Sequence, residues 1–162
     1  MKTTNAEAIK AVLKACRDNG VTMEAVLLAY AEMVEEKEDV NSSKQQTDLE
    51  TEVSEILREI GVPANLKGYR YVRTGIIMSV EDPTVLGQLT KVLYPAIAKE
   101  FKSTTSRVDR AIRHAIEVAW NRGDMDVLNK YFGYTIDMDR GKPTNAEFIA
   151  MIADKVALQL KA

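Results

Sequence analysis

With one cysteine, one histidine, four prolines and three phenylalanines in 162 residues, the chain is short of the residue types on which several classes of function depend. A lone Cys16 forbids an internal disulfide and leaves no thiolate cluster with zinc-binding spacing. Its expected role is that of a small apolar side chain on a helix. A lone His114 has no second histidine with which to share a metal, and no serine or cysteine nucleophile with an orienting acid lies in its neighbourhood. Asp137 and Asp139 lack the remainder of a calcium-loop pattern. The expectation is therefore no catalytic residue, no metal and no cofactor: not an enzyme. No run approaches the ~20 apolar residues that span a bilayer. The opening stretch MKTTNAEAIKAV has no apolar segment followed by a cleavage site, so a cytoplasmic protein without membrane contact is expected. Few windows alternate apolar and polar residues with β-branched enrichment, which excludes a substantial sheet.

What is present points to helices. The chain is 46% hydrophobic and 28% charged, rich in Ala, Leu, Lys, Glu and Arg, and long enough for one domain plus a small appendage. The net charge of -2 hides a division. Residues 1–55 hold 6 Lys and Arg against 12 Asp and Glu, a net of -6, and residues 56–162 hold 16 against 12, a net of +4. Between residues 99 and 113 five bases face two acids, which places the basic footprint in one short stretch.

Thr3, Thr4 or Asn5 can cap a first helix with Ala8, Ile9, Val12, Leu13 and Cys16 on one face, ended by Asn19 and Gly20. Thr22 caps a second, with Val26, Leu27, Tyr30, Ala31, Met33 and Val34 as its stripe. Such a helical hairpin over residues 1–45 is too small to bury its own apolar surface, so an oligomerisation or regulatory role is expected. Residues 41–48, NSSKQQTD, lack periodicity and read as a mobile joint or exposed loop. Residues 46–162 are then the second domain. Helices are expected over 49–60, stopped by Gly61 and Pro63, over 67–79, through Leu86, Leu89, Val92 and Leu93, and over 125–132, where Asp124 and Asp126 shape the start. Pro95 either kinks its helix or begins the next. Residues 134–143 read as a loop, and Thr144 or Asn145 caps a last helix with Phe148, Ile149, Ile152, Ala153 and Val156 facing inward.

Residues 93–120 carry the organising motif. Ile97, Ala98 and Phe101 mark a short amphipathic helix, broken by the polar run Ser103, Thr104, Thr105 and Ser106. Any of these hydroxyls can cap a second helix, and Ser106 with Asp109 resembles a capping box. Val108, Ala111, Ile112, Ala115, Val118 and Ala119 then share one face, while Arg107, Arg110, Arg113, His114, Glu117 and Asn121 lie elsewhere. A helix-turn-helix has this form, its second helix reading base edges mainly with N-terminal residues. A merely solvated charged face has it too.

The stretches IGVPANLKGYRYVRTGI, LGQLTKVLYPAIAKEF, SRVDRAIRHAIEVAWNRG, FGYTIDM and KPTNAEFIAMIADK closely resemble the C-terminal DNA-binding domain of the stage zero sporulation protein A family, over residues 57–158. The resemblance implies an all-α, multi-helix effector domain containing a helix-turn-helix, here preceded by the hairpin. It implies double-stranded DNA as partner, with Asp109 and Arg110 reading bases and Lys102, Ser106, Arg107, Arg113 and His114 on the backbone. It further implies adjacent copies bound in tandem as a homodimer, and contact with the sigma subunit of RNA polymerase. In the family the acid is usually glutamate, so Asp109 departs from the pattern. The family normally carries a receiver domain; residues 1–48 are too few and too helical to form one, and control by phosphorylation is not expected. The competing expectation is an interaction module that antagonises or partners a full-length family member with little DNA binding of its own.

Overall fold

The computed structural model describes residues 5–133 and 141–162; Thr3, Thr4, Asp137 and Asp139 lie outside them. Helices α1 (Asn5–Asp18), α2 (Met23–Ile60), α3 (Lys67–Glu81), α4 (Tyr94–Glu100), α5 (Thr105–Arg122), α6 (Met125–Phe132) and α7 (Asn145–Lys161) follow in order, and no strand occurs among the described residues. The fold is all-α. Two compact units divide the chain inside α2, Met1–Gln46 and Thr47–Ala162.

In the first unit, α1 ends where Gly20 adopts φ +67° and Val21 N donates to Cys16 O at 2.9 Å, a left-handed glycine closure that a side chain would strain. Thr22 Oγ1 accepts from Ala25 N at 3.3 Å and starts α2. None of the side chains of residues 9–32 is buried, and Ile9, Val12, Leu27, Leu28 and Tyr30 stay more than half exposed. Residues 41–48 depart from expectation. They are helical throughout, every one of them exposed, so the helix expected over 49–60 is the last part of α2.

The second unit is built around α3, which packs on both α5 and α7. Val53, Ile56, Leu57 and Ile60 from α2 meet Val72 and Ile76, Leu93 and Ile97, Val108, Ile112 and Ile116, and Phe148, Ile149 and Ile152 in one apolar cluster. Each fully buried side chain of this size contributes roughly 1.5–3 kcal/mol. Phe132 joins the last helices to it, stacked on Phe148 at 5.3 Å and edge-on to Trp120 at 5.7 Å. The start of α3 lies so close to α5 that a Cβ on Gly68 would stand 2.0 Å from the carbonyl oxygen of Ala111.

Between α3 and α4 the regular helix expected through Leu86, Leu89, Val92 and Leu93 is replaced by a 3-10 segment, Pro83–Gln88, and a π turn, Leu89–Leu93. Pro95 falls in the first turn of α4, so it begins that helix, where its missing N–H is no loss. At the far side, Glu59 accepts from Lys130 at 2.8 Å and from the Tyr131 hydroxyl. The Lys130 ammonium, then the Tyr131 hydroxyl, hold Glu59 below the ordinary carboxylate range. Burial first, and the hydrogen bond to Glu59 second, push the Tyr131 hydroxyl up. This cluster ties the end of α2 to α6.

Candidate nucleic-acid interface

The turn between α4 and α5 is four residues long and held by its own backbone. Phe101 N donates to Ile97 O at 3.0 Å and Ser103 N to Ala98 O at 2.8 Å, closing α4 around Lys102, whose φ is 51°. A left-handed lysine at the place where glycine is most comfortable stores strain. Thr104 caps α5, its hydroxyl accepting from Arg107 N at 3.3 Å. The capping box expected from Ser106 and Asp109 does not form, because the helix has already begun at Thr105. Tyr71 of α3 fixes the turn from behind, its ring 5.1 Å from that of Phe101.

The rotation of α5 is set by what it buries. Val108, Ile112, Ala115, Ile116 and Ala119 are in the core, while Ala111 and Val118 flank it half-buried. Lys102, Ser106, Arg107, Arg110, Arg113 and His114 are all exposed. Lys102, Arg107 and Arg110 lie at the start of the helix and its turn, with no ion pair to any described residue. Three cations elsewhere in this unit are paired with acids. Arg73 pairs with Glu50 at 3.1 Å, Lys130 with Glu59, and Lys142 with Glu117, whose carboxyl that contact lowers. Lys102, Arg107 and Arg110 thus leave uncompensated charge on the solvent side of the turn and the start of α5, which raises the local positive potential.

Asp109 sits differently from the other candidates. Half-buried, it accepts through Oδ1 from the Asn145 amide at 2.9 Å, while Oδ2 lies 4.0 Å from the Arg113 guanidinium. The Asn145 nitrogen also reaches the Asp109 backbone oxygen at 3.1 Å and Tyr94 Oη at 3.2 Å. Burial pushes the Tyr94 hydroxyl up, and the nearby Asp109 charge adds to it against the pull of the amide. Thr90, Tyr94, Thr105, Ser106 and Asp109 line a shallow polar cleft at the head of α5.

Sequence reasoning missed Asn145, Tyr94, Lys67 and Arg70. Asn145 shares the period of Phe148, Ile149, Ile152 and Val156, and a polar residue on an apolar stripe was the available signal. Lys67 and Arg70 are exposed on either side of buried Gly68 and Tyr69. Gly68 touches α5 and Tyr71 touches the turn, so the start of α3 packs behind the motif. Only contacts between distant segments reveal them.

A cationic helix locked by its opposite face, preceded by a short helix and a tight turn, defines a helix-turn-helix DNA-binding module. Residues 53–156 match the family model described as Sporulation initiation factor Spo0A C terminal. The chain belongs to that family, a DNA-binding regulatory domain and not an enzyme family, and carries its effector domain. The match covers every candidate residue above and leaves α1 and most of α2 outside it. Among the described residues no helix is long and apolar enough to cross a membrane.

Proposed function

We propose that this protein is a sequence-specific regulator of transcription whose α5 enters the major groove of double-stranded DNA. Arg110 and Asp109, in the first turns of α5, read base edges. The arginine fork suits guanine O6 and N7, and the acid suits a cytosine amino group. Lys102, Ser106, Arg107, Arg113 and His114 hold the phosphate backbone, joined by Lys67 and Arg70 from the start of α3. Such contacts give register and affinity without sequence information. Copies bind adjacent sites in tandem, and the exposed end of α7, with Leu158 and Leu160, is the surface offered to a sigma subunit. Regulation does not run through phosphorylation of residues 1–46, whose described part is helical where a receiver would alternate strand and helix.

The observation that carries this reading is that Lys102, Arg107 and Arg110, without an ion pair to any described residue, stand at the turn and the start of a helix whose other face is locked in the core. Titration of the full chain onto random-sequence duplex should show log affinity falling with log salt, by ~0.9 per phosphate neutralised. Binding indifferent to salt would count against it. A second reading rests on the exposed Ile9, Val12, Leu27, Leu28 and Tyr30, an apolar surface that fits association with another chain. Removing residues 1–40 should then weaken cooperativity on paired sites while a single site is still bound; equal binding to paired sites would remove the hairpin from the account.

A further inference from the structure

The buried polar residues among those described are Ser79 and Asn145. Ser79 returns its hydroxyl to Gly75 O in its own helix at 2.7 Å. Asn145 instead directs its amide out of α7, onto Asp109 of α5 and Tyr94 of α4. Its own position is rigid, because Thr144 just before it belongs to a complete capping box. Thr144 Oγ1 accepts from Glu147 N at 3.2 Å, and Thr144 N donates to Glu147 Oε2 at 2.9 Å. Two amide hydrogens serve three oxygens, so the nitrogen is held on several sides at once.

The consequence falls on Asp109. A free aspartate on a helix samples more than one staggered rotamer, and its two oxygens are then interchangeable as acceptors. Here Oδ1 is occupied by Asn145, the side chain keeps 39% of its exposure, and Oδ2 stays on the side of Arg113. We propose that Asn145 is a specificity-positioning residue, which holds Oδ1 of Asp109 so that Oδ2 alone is presented to the major groove. The inference rests on the reading of Asp109 as a base reader. One fixed acceptor oxygen matches one amino hydrogen of a base edge, and the ordering is complete before DNA arrives, which lowers the entropy lost on binding. The last helix of the domain thereby sets the aim of the reading helix.

The test has two arms, applied to the full chain and to Asn145→Ala, with Asn145→Ser as the smaller perturbation should the alanine variant fail to fold. Without DNA, NMR couplings should give a single Asp109 χ1 rotamer in the parent and averaged rotamers in the variants, and the Asn145 side-chain amide should exchange slowly with water. With DNA, a panel of single-base variants of the preferred site should show discrimination at one base pair falling about tenfold on substitution. Affinity for random duplex and the salt slope should not change. In an Asp109→Ala background Asn145→Ala should change base preference no further, an outcome that mere destabilisation would not give. An averaged Asp109 rotamer in the parent overturns the proposal by itself, whatever the DNA result. Uniform weakening on every duplex, or an additional loss in the Asp109→Ala background, overturns it as well. A fixed rotamer with base preference untouched by Asp109→Ala overturns it through the failure of Asp109 as a reader, which the first arm then separates from failure of the lock.

Discussion

Lys102 is held in a conformation that its side chain disfavours, and replacing it with glycine should make the protein more stable and a poorer DNA binder. Its φ of 51° costs a side-chain-bearing residue roughly 1–2 kcal/mol. Glycine relieves that strain but gains freedom in the unfolded chain, offsetting about 0.5–1 kcal/mol. Lys102 is exposed and makes no ion pair to any described residue, and the turn bonds on either side, Phe101 to Ile97 and Ser103 to Ala98, are between backbone atoms and survive. The net gain is ~0.5–1 kcal/mol, a rise in Tm of about 2–5 °C for a unit of this size. On DNA the lost phosphate contact should reduce the salt slope by ~0.9 while leaving the ranking of base variants unchanged. Thermal melts and salt-dependent anisotropy on one preparation measure both. A destabilised Lys102→Gly would refute the strain argument, and an unchanged slope would remove Lys102 from the interface.

At the reading helix, Arg110→Ala should cost about 1–3 kcal/mol on the preferred site and relax one base pair, whereas Arg113→Ala should weaken all sequences nearly equally; identical profiles in a binding panel would end the distinction. Gly68→Ala should lose at least ~3 kcal/mol by urea melting, because the new Cβ meets the Ala111 carbonyl and not a movable side chain, while Gly87→Ala, with nothing within 4 Å, should be tolerated. Glu59 is held below its ordinary value of 4.5 by Lys130 and Tyr131. Its contribution to stability is therefore full above that value and is lost as pH falls through the lowered one. Glu59→Gln should be the less stable protein at neutral pH and should converge with the parent in acid; a constant gap down to pH 2 would show that the charge is irrelevant.

The motif was legible in the sequence because its helices bury one face. Val108, Ile112, Ala115 and Ala119 recur with a period that fixes both the existence of α5 and its rotation, and Arg107, Arg110 and His114 follow by elimination. The cap was not legible, since four hydroxyl residues in a row can each serve and the choice of Thr104 depends on where the Lys102 turn ends. Residues 41–48 misled for the opposite reason. Exposed on all sides, they have no buried face to impose a period, and a polar helix and a polar loop then read alike. The π turn before Pro95 was also hidden, because the proline announces a disturbed ladder without saying how the preceding carbonyls adjust. Asn145 and Tyr94 meet Asp109 only through the packing of α7 and α4 on α5, which no local pattern encodes.

The central claim, that this chain reads DNA sequence with α5, is met most directly by selection from a random-sequence duplex pool with the 162-residue chain at about 150 mM salt, the physiological ionic strength. The account predicts enrichment of one short shared box, occurring in adjacent copies, and loss of one enriched position when the selection is repeated with Arg110→Ala. A pool that stays random after several rounds, with a protein that is folded by its melt, would contradict it.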